Sequence, residues 1–236
     1  MKTNIVLFDL DGTLLPMDQD VFTKEYFKLL AAKLAPRGYE QKKLIDAVWA
    51  GTAAMVQNDG SVKNYEAFWK KFAQIMGEKV YEDKALFDEF YKNEFDGAAQ
   101  SCGFNPDAAR AVALCKELGF RVALATNPIF PREATISRIR WAGFEPNEFE
   151  YYTTYEVCSF CKPNLDYYRE IMRTLGCSPE ECLMVGNDVS EDMVANNLGM
   201  KVFLLNDCLI NKKNEDITRY PNGGFPELSE FLTSLA

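Results

Sequence analysis

The 236-residue sequence predicts an α/β fold, a doubly wound parallel sheet with an inserted all-helical segment. Three observations carry that expectation. From Phe104 onward, short apolar runs alternate with helical periodicity, the order of a parallel sheet covered by helices on both faces. The first run, Asn4 to Phe8, is apolar over almost its whole length, as a strand buried on both faces should be. From about Pro16 to Gly97 the alternation stops and helical patterns follow one another without a convincing strand.

Taken in order, strands are expected at Asn4–Phe8, Arg121–Ala125, Phe149–Thr153, Glu181–Val185 and Lys201–Leu205. The helices between them have legible ends. One begins at the Asn105 cap with Pro106 in its first turn and closes at Gly119; others run from Pro131 to Ala142, before Gly143, and from Asn164 to Leu175, before Gly176. Tyr220-Pro-Asn-Gly-Gly reads as a turn ahead of a short terminal helix from Pro226. Within the insert, helical patterns cover Val21–Leu34, Lys43–Val56, Asn64–Met76 and Val80–Phe95. In the third, Tyr65, Phe68, Trp69, Phe72, Ile75 and Met76 share one face. The expected division is residues 1–15 and 98–236 as the sheet domain and 16–97 as the helical one. The insert holds 14 of the 31 aromatic residues, which a small helical unit needs for its own core.

Composition narrows the chemistry. There is no histidine, which removes Ser-His-Asp triads, Cys-His pairs and HExxH zinc sites and leaves carboxylates, lysine, hydroxyls and thiols. A net charge of −9 is the wrong sign for wrapping nucleic acid or holding an anionic membrane, so neither is an expected partner. The amino-terminal residues resemble no targeting segment, and nowhere do about 18 uncharged apolar residues follow one another, which points to a cytoplasmic protein. Seven scattered cysteines read as reduced thiols.

The first strand runs into Asp9-Leu10-Asp11-Gly12-Thr13-Leu14-Leu15. In an open α/β sheet ligands bind beyond the carboxyl ends of the strands, so Asp9 and Asp11 are delivered to that edge, and spacing by two aims them to one side. Two neighbouring carboxylates can divide two tasks, one ionised as nucleophile or metal ligand and one protonated as acid. Three further loci follow at strand ends or helix starts: Thr126-Asn127, where phosphoryl oxygens can be bound; Lys162, a cation near a helix N-terminus; and Gly186-Asn187-Asp188-Val189-Ser190-Glu191-Asp192, whose carboxylates suit Mg²⁺.

Jointly these motifs resemble the haloacid dehalogenase superfamily, over nearly the whole chain. DLDGTLL at 9–15 stands as the first motif, Thr126-Asn127 as the second, Lys162 as the third and GNDVSED at 186–192 as the fourth. The resemblance implies a Rossmann-like core with the helical insert as a cap domain. It also implies Mg²⁺-dependent hydrolysis of a small phosphorylated metabolite, in which Asp9 forms an aspartyl-phosphate and Asp11 protonates the leaving oxygen and then activates water. Mg²⁺ would be held by Asp9, the Asp11 carbonyl and Asp188, with Thr126, Asn127 and Lys162 on the phosphoryl oxygens and Asp192 as a partner of Lys162. Dehalogenating relatives lack an acid at the Asp11 position, so Asp11 favours phosphate esters. The sequence departs from the family pattern at Asn187, which intervenes between the glycine and Asp188; either residue is open as the fourth-motif metal ligand.

Competing readings are a sugar-phosphate phosphomutase, a non-catalytic Mg²⁺- and phosphate-binding regulator, a cysteine phosphatase built on Cys115-x5-Arg121, and a zinc or redox site at Cys158 and Cys161 with Cys177 and Cys182. The oligomeric state, monomer or dimer, is not written in the sequence.

Overall fold

β1 (Ile5–Phe8) organises the structure, a computed structural model that describes residues 2–236. All four β1 residues are buried, and their side chains alternate between two cores. Val6 and Phe8 pack toward α5 (Pro106–Glu117) and α8 (Phe225–Leu235); Ile5 and Leu7 pack toward α7 (Leu165–Leu175). This two-sided burial is why the run could be almost wholly apolar.

β1 lies between β2 (Arg121–Leu124) and β3 (Cys182–Gly186), with Ile5 in register with both Arg121 and Cys182. β4 (Lys201–Leu205) and β5 (Asn222–Gly223) extend the sheet to the order β2-β1-β3-β4-β5, all parallel. The chain therefore leaves β1 toward β2 on one side and later returns to β3 on the other. That reversal opens a crevice at the carboxyl ends of β1 and β3, the place where doubly wound sheets bind ligands. α5 starts where its sequence says it should: Asn105 accepts from the amide of Asp107 at 3.0 Å and Pro106 occupies the first turn.

Between β1 and α5 stand α1 (Gln19–Leu34), α2 (Gln41–Val56), α3 (Asn64–Met76) and α4 (Lys84–Lys92). Phe22, Leu30, Leu44, Phe72 and Phe90 form a core of their own there. Each such side chain, fully buried, contributes about 1.5–3 kcal/mol. The chain enters and leaves this helical layer side by side, since Gly103 N donates to Pro16 O at 2.7 Å and Met17 bridges Cys102. α6 (Arg132–Trp141) touches both layers: Ala134 belongs to the helical core, Ile139 to the sheet core. Among the described residues no helix is long and apolar enough to cross a membrane.

Three expectations need correction. Phe149–Thr153 is not a strand: it lies along β2, with Glu150 N on Val122 O and Leu124 N on Tyr151 O, but forms only the single bridge Leu124–Tyr152 before the chain turns away. Asn222–Gly223, read as part of a turn, is a strand of two residues, because β4 offers it an unpaired edge; Leu204 N and Asn206 N donate to Pro221 O and Gly223 O. Val80–Phe95 is not one helix. The α-helical part is confined to α4, flanked by 3-10 turns at Glu78–Tyr81 and Glu94–Ser101, and at the break the Asp83 carboxylate is taken by the Tyr39 hydroxyl at 2.8 Å instead of capping α4. Between β3 and β4 the chain makes a 3-10 turn, Met193–Leu198.

Candidate active site

The loop leaving β1 folds back on itself and so presents its side chains to the crevice. Thr13 and Leu15 amides both donate to Leu10 O, and Gly12 N donates to Leu15 O at 2.8 Å. Gly12 has φ of +84°, and a Cβ there would stand 2.4 Å from Asn187 Nδ2. Glycine is thus required both for the turn and for the close approach of the loop after β3.

Asp9, at the end of β1, is buried and held on both oxygens. Lys162 Nζ donates to its Oδ1 at 2.8 Å, and the Thr13 hydroxyl stands 3.2 Å from Oδ2. The same hydroxyl lies 3.1 Å from Asn187 Oδ1, so one proton serves two acceptors. Lys162, only 1% exposed, also donates to Asp192 Oδ1 at 2.6 Å. Burial works against its charge, but Asp192 and Asp9 outweigh that and hold the ammonium protonated well above the usual lysine range.

The neighbouring loops lock this lysine in place. Asn127, just beyond β2, accepts from Lys162 N at 3.2 Å and donates to Glu191 at 3.0 Å, so both ends of its amide are engaged. Thr126 is fixed through its carbonyl, which accepts from the hydroxyls of Thr153 at 2.6 Å and Tyr167 at 2.8 Å, while the residue lines the crevice. In the loop after β3, Asp192 Oδ2 accepts from Asp188 N at 2.9 Å, and Asp188 Oδ1 accepts from the amides of Ser190 and Glu191. Asn187 donates to Cys208 O at 2.7 Å.

The structure thus brings Asp9, Asp11, Thr126, Asn127, Asp188 and Asp192 to the wall of one cavity of about 380 Å³, with Lys162 behind Asp9. Five carboxylates, counting Glu191, face two cations, Lys162 and Arg138. Burial, with the charge of Asp9 adding, pushes Asp192 and Glu191 up to about 7 against the pull of Lys162.

Sequence reasoning missed Arg138. Wholly buried in α6, it makes an ion pair with Asp11 Oδ2, donates from Nε to Ala134 O at 3.2 Å, and lies 4.6 Å from the ring centroid of Phe130. Asp11 Oδ1 is buried without a hydrogen-bond partner. Burial raises the pKa of Asp11, and Arg138 restrains the rise. An arginine inside a helix reads as solvent-facing, and no sequence signal marked it. Thr13 and Glu191 were also passed over, although both lie inside motifs already singled out.

Among the described residues no three His, Cys, Asp or Glu side chains converge into a metal cage. Mg²⁺ does not need one, since one or two carboxylates with phosphate oxygens and water suffice. The set available here, Asp9 and Asp188 carboxylates with the Asp11 main chain, consists of hard oxygens, and the excess of carboxylates over cations suits a divalent ion.

The cysteine-phosphatase alternative fails on geometry. Cys115 lies inside α5 in the sheet core, its thiol pushed up to about 12 by burial, and Arg121 opens β2 and pairs with Glu150. Cys158 packs in the core beneath α7 and Cys161 beside Met55 and Tyr155, in separate clusters; all seven cysteines are free thiols.

Comparison with known proteins follows the same lines. The model of the haloacid dehalogenase-like hydrolase family matches residues 3–198. Glyceraldehyde 3-phosphate phosphatase of Methanothermobacter thermautotrophicus is 28% identical over 116 residues, 48% of this chain and 50% of that protein. The match thus spans about half the length of that relative. Pyrophosphatase PpaX of Halalkalibacterium halodurans is 24% identical over 219 residues, 93% of this chain and 89% of that protein. Among solved structures, 2-haloacid dehalogenase of Pseudomonas syringae has a TM-score of 0.63 at 18% identity, covering 99% of this chain and 100% of that one. Magnesium-bound YfnB of Bacillus subtilis has a TM-score of 0.56 at 17% identity, covering 98% and 99%. At these identities the structures establish shared fold.

Proposed function

Since the chain belongs to the haloacid dehalogenase-like hydrolase family, we propose that it is a Mg²⁺-dependent phosphatase acting on a small phosphorylated metabolite through an aspartyl-phosphate at Asp9. The observation that carries this reading is the grip on Asp9. Lys162 holds one oxygen and Thr13 the other, so the carboxyl group is oriented at the mouth of the crevice beside a buried cation.

An Asp9 oxygen attacks phosphorus, and the P–O bond to the leaving alcohol breaks. Lys162 and Thr126 take the equatorial phosphoryl oxygens. Asn127 acts chiefly by bracing Lys162, its side chain being engaged at both ends. Asp11 gives its proton to the departing oxygen. Burial raises its pKa, as that task requires, and Arg138 occupies Oδ2 and leaves Oδ1 for the alcohol. Water then attacks the acyl phosphate, Asp11 takes the water proton, and phosphate leaves Asp9 free. Asp9, the Asp11 carbonyl and Asp188 would hold Mg²⁺, which when bound would neutralise phosphoryl charge. One unit-charge repulsion at about 4 Å and an effective dielectric near 20 is worth roughly 4 kcal/mol, about a thousandfold in rate. An anionic nucleophile facing an anionic ester needs that relief.

In this reading residues 16–97 form a cap over a core of 1–15 and 98–236. The paired crossings at Pro16–Met17 and Cys102–Gly103 support a hinge there, through which the cap opens for exchange and closes to exclude water. The net charge of −9 supports a cytoplasmic enzyme of small molecules rather than of nucleic acids or membranes. The test is phosphate release from a panel of phosphorylated metabolites with and without Mg²⁺. Release that depends on Mg²⁺ and vanishes in a folded Asp9→Asn variant is expected; release by that variant removes the nucleophile assignment, and isomerised ester without free phosphate indicates a mutase.

A further inference from the structure

The cavity that begins at Asp9 and Asp11 does not end at the sheet. It continues into the helical layer, where Phe22, Phe68, Trp69, Phe130 and Tyr155 form most of a flat-sided apolar chamber. At about 380 Å³ it is large enough for a ring-bearing leaving group and not merely for phosphate.

Two further observations define what fits. Among the described residues lining the cavity, Lys212 is the one lysine or arginine, and it is exposed; the helical side contributes Asp20 instead. A second anionic group on the substrate, a carboxylate or another phosphate, would find no buried cation there and would face a carboxylate. The helical side offers few free hydrogen-bonding groups, chiefly Gln19, Asp20 and Thr23. The hydroxyls of Tyr26 and Tyr91 bond each other at 2.9 Å, and Thr52 is spent on Val48 O at 3.0 Å. A polyhydroxylated sugar would be stripped of more water than these few groups replace. One donor stands poorly partnered: Trp69, 4% exposed and lining the cavity, has a buried indole Nε1–H near the Tyr155 hydroxyl without a well-aligned hydrogen bond. A buried donor so poorly paired in a ligand cavity calls for an acceptor on the ligand.

We infer that the substrate is a phosphomonoester of an alcohol with an aromatic or comparably flat apolar body. It carries no second anionic group, and a hydrogen-bond acceptor on that body meets Trp69 Nε1. This rests on the phosphatase reading and names the class of ester that the same site takes.

The experiment compares kcat/KM at saturating Mg²⁺ for two groups of unactivated esters, so that leaving-group acidity does not decide the result. Benzyl, 3-pyridylmethyl and 2-naphthylmethyl phosphates form one group; glucose 6-phosphate, glycerol 3-phosphate and 2-phosphoglycolate form the other. The aromatic esters are expected to be preferred by roughly tenfold or more. 3-Pyridylmethyl phosphate should have a KM about fivefold below that of benzyl phosphate, and in Trp69→Phe that ratio should fall to about one. The wild-type comparison stands whether or not that variant folds. Equal or better turnover of the sugar phosphate or phosphoglycolate overturns the inference and leaves the phosphatase standing. A pyridyl advantage that survives Trp69→Phe overturns the role of Trp69. No turnover of any ester overturns both readings.

Discussion

Arg138 and Asp11 form an ion pair 127 positions apart in sequence, with the arginine fully buried and the aspartate half open to the cavity. The pair ties the acid proposed for leaving-group protonation to α6, the helix that contacts both the sheet core and the helical core. Replacing Arg138 by methionine keeps the volume and removes the cation. Asp11 then loses the partner that restrains its pKa, and the carboxyl titrates higher still. Because the protonated form expels the alcohol, the alkaline limb of the kcat/KM profile moves to higher pH, while kcat falls about ten- to a hundredfold as Oδ1 loses its fixed direction. The stability cost is about 2–3 kcal/mol near neutral pH, less than for a wholly buried pair because Asp11 reaches the cavity. That deficit narrows as pH falls through the raised pKa of Asp11, since the protonated carboxyl no longer pairs with a cation and the unfolded chain is common to both proteins. An unmoved pH profile removes the coupling between the two residues.

Lys162 supports two buried carboxylates at once, so its loss strands both. Lys162→Met is expected to lower stability by about 3–5 kcal/mol in chemical denaturation and to reduce kcat/KM about a thousandfold. Adding Asp192→Asn removes one stranded charge. The double variant should recover a large part of the stability and none of the activity. Recovery of activity would assign Lys162 to structure alone.

Asn187 is where the sequence departs from the family pattern, and in the structure it touches both Thr13 and Cys208 O. Asn187→Asp loses the donor to Cys208 and places another carboxylate near Asp9. Without Mg²⁺ the variant should be about 1–3 kcal/mol less stable. With Mg²⁺ its melting temperature should rise by more than that of the parent, as tighter metal binding to the folded state requires. An identical Mg²⁺ response in both proteins places residue 187 outside the metal site and leaves Asp188 as the ligand.

Much of the architecture is legible in the sequence because its signals are local. An apolar run ending in two aspartates and a glycine reports a buried strand and its carboxyl end at once, and the caps at Asn105 and Asn164 fix where helices begin. Thr126 and Asp188 are found at the crevice because parallel strands deliver their ends to one edge, while Lys162 reaches Asp9 from the loop before α7. What stays hidden depends on distant pairing. β5 is two residues of a proline- and glycine-rich turn until β4 lies beside them, and Phe149–Thr153 has strand composition but only one bridge to β2. Arg138 is buried only because Phe130 and Asp11 close over it, and nothing within a few residues of it reports that.

The account turns on whether phosphate passes through a covalent bond to Asp9. Acid quenching of the enzyme during turnover of a hydrolysed ester with Mg²⁺, followed by peptide mass spectrometry, measures this directly. The expected result is a phosphate adduct on the peptide containing Asp9, cleaved by hydroxylamine and absent in Asp9→Asn. Steady release of phosphate with no adduct, or an adduct on any other residue, contradicts it.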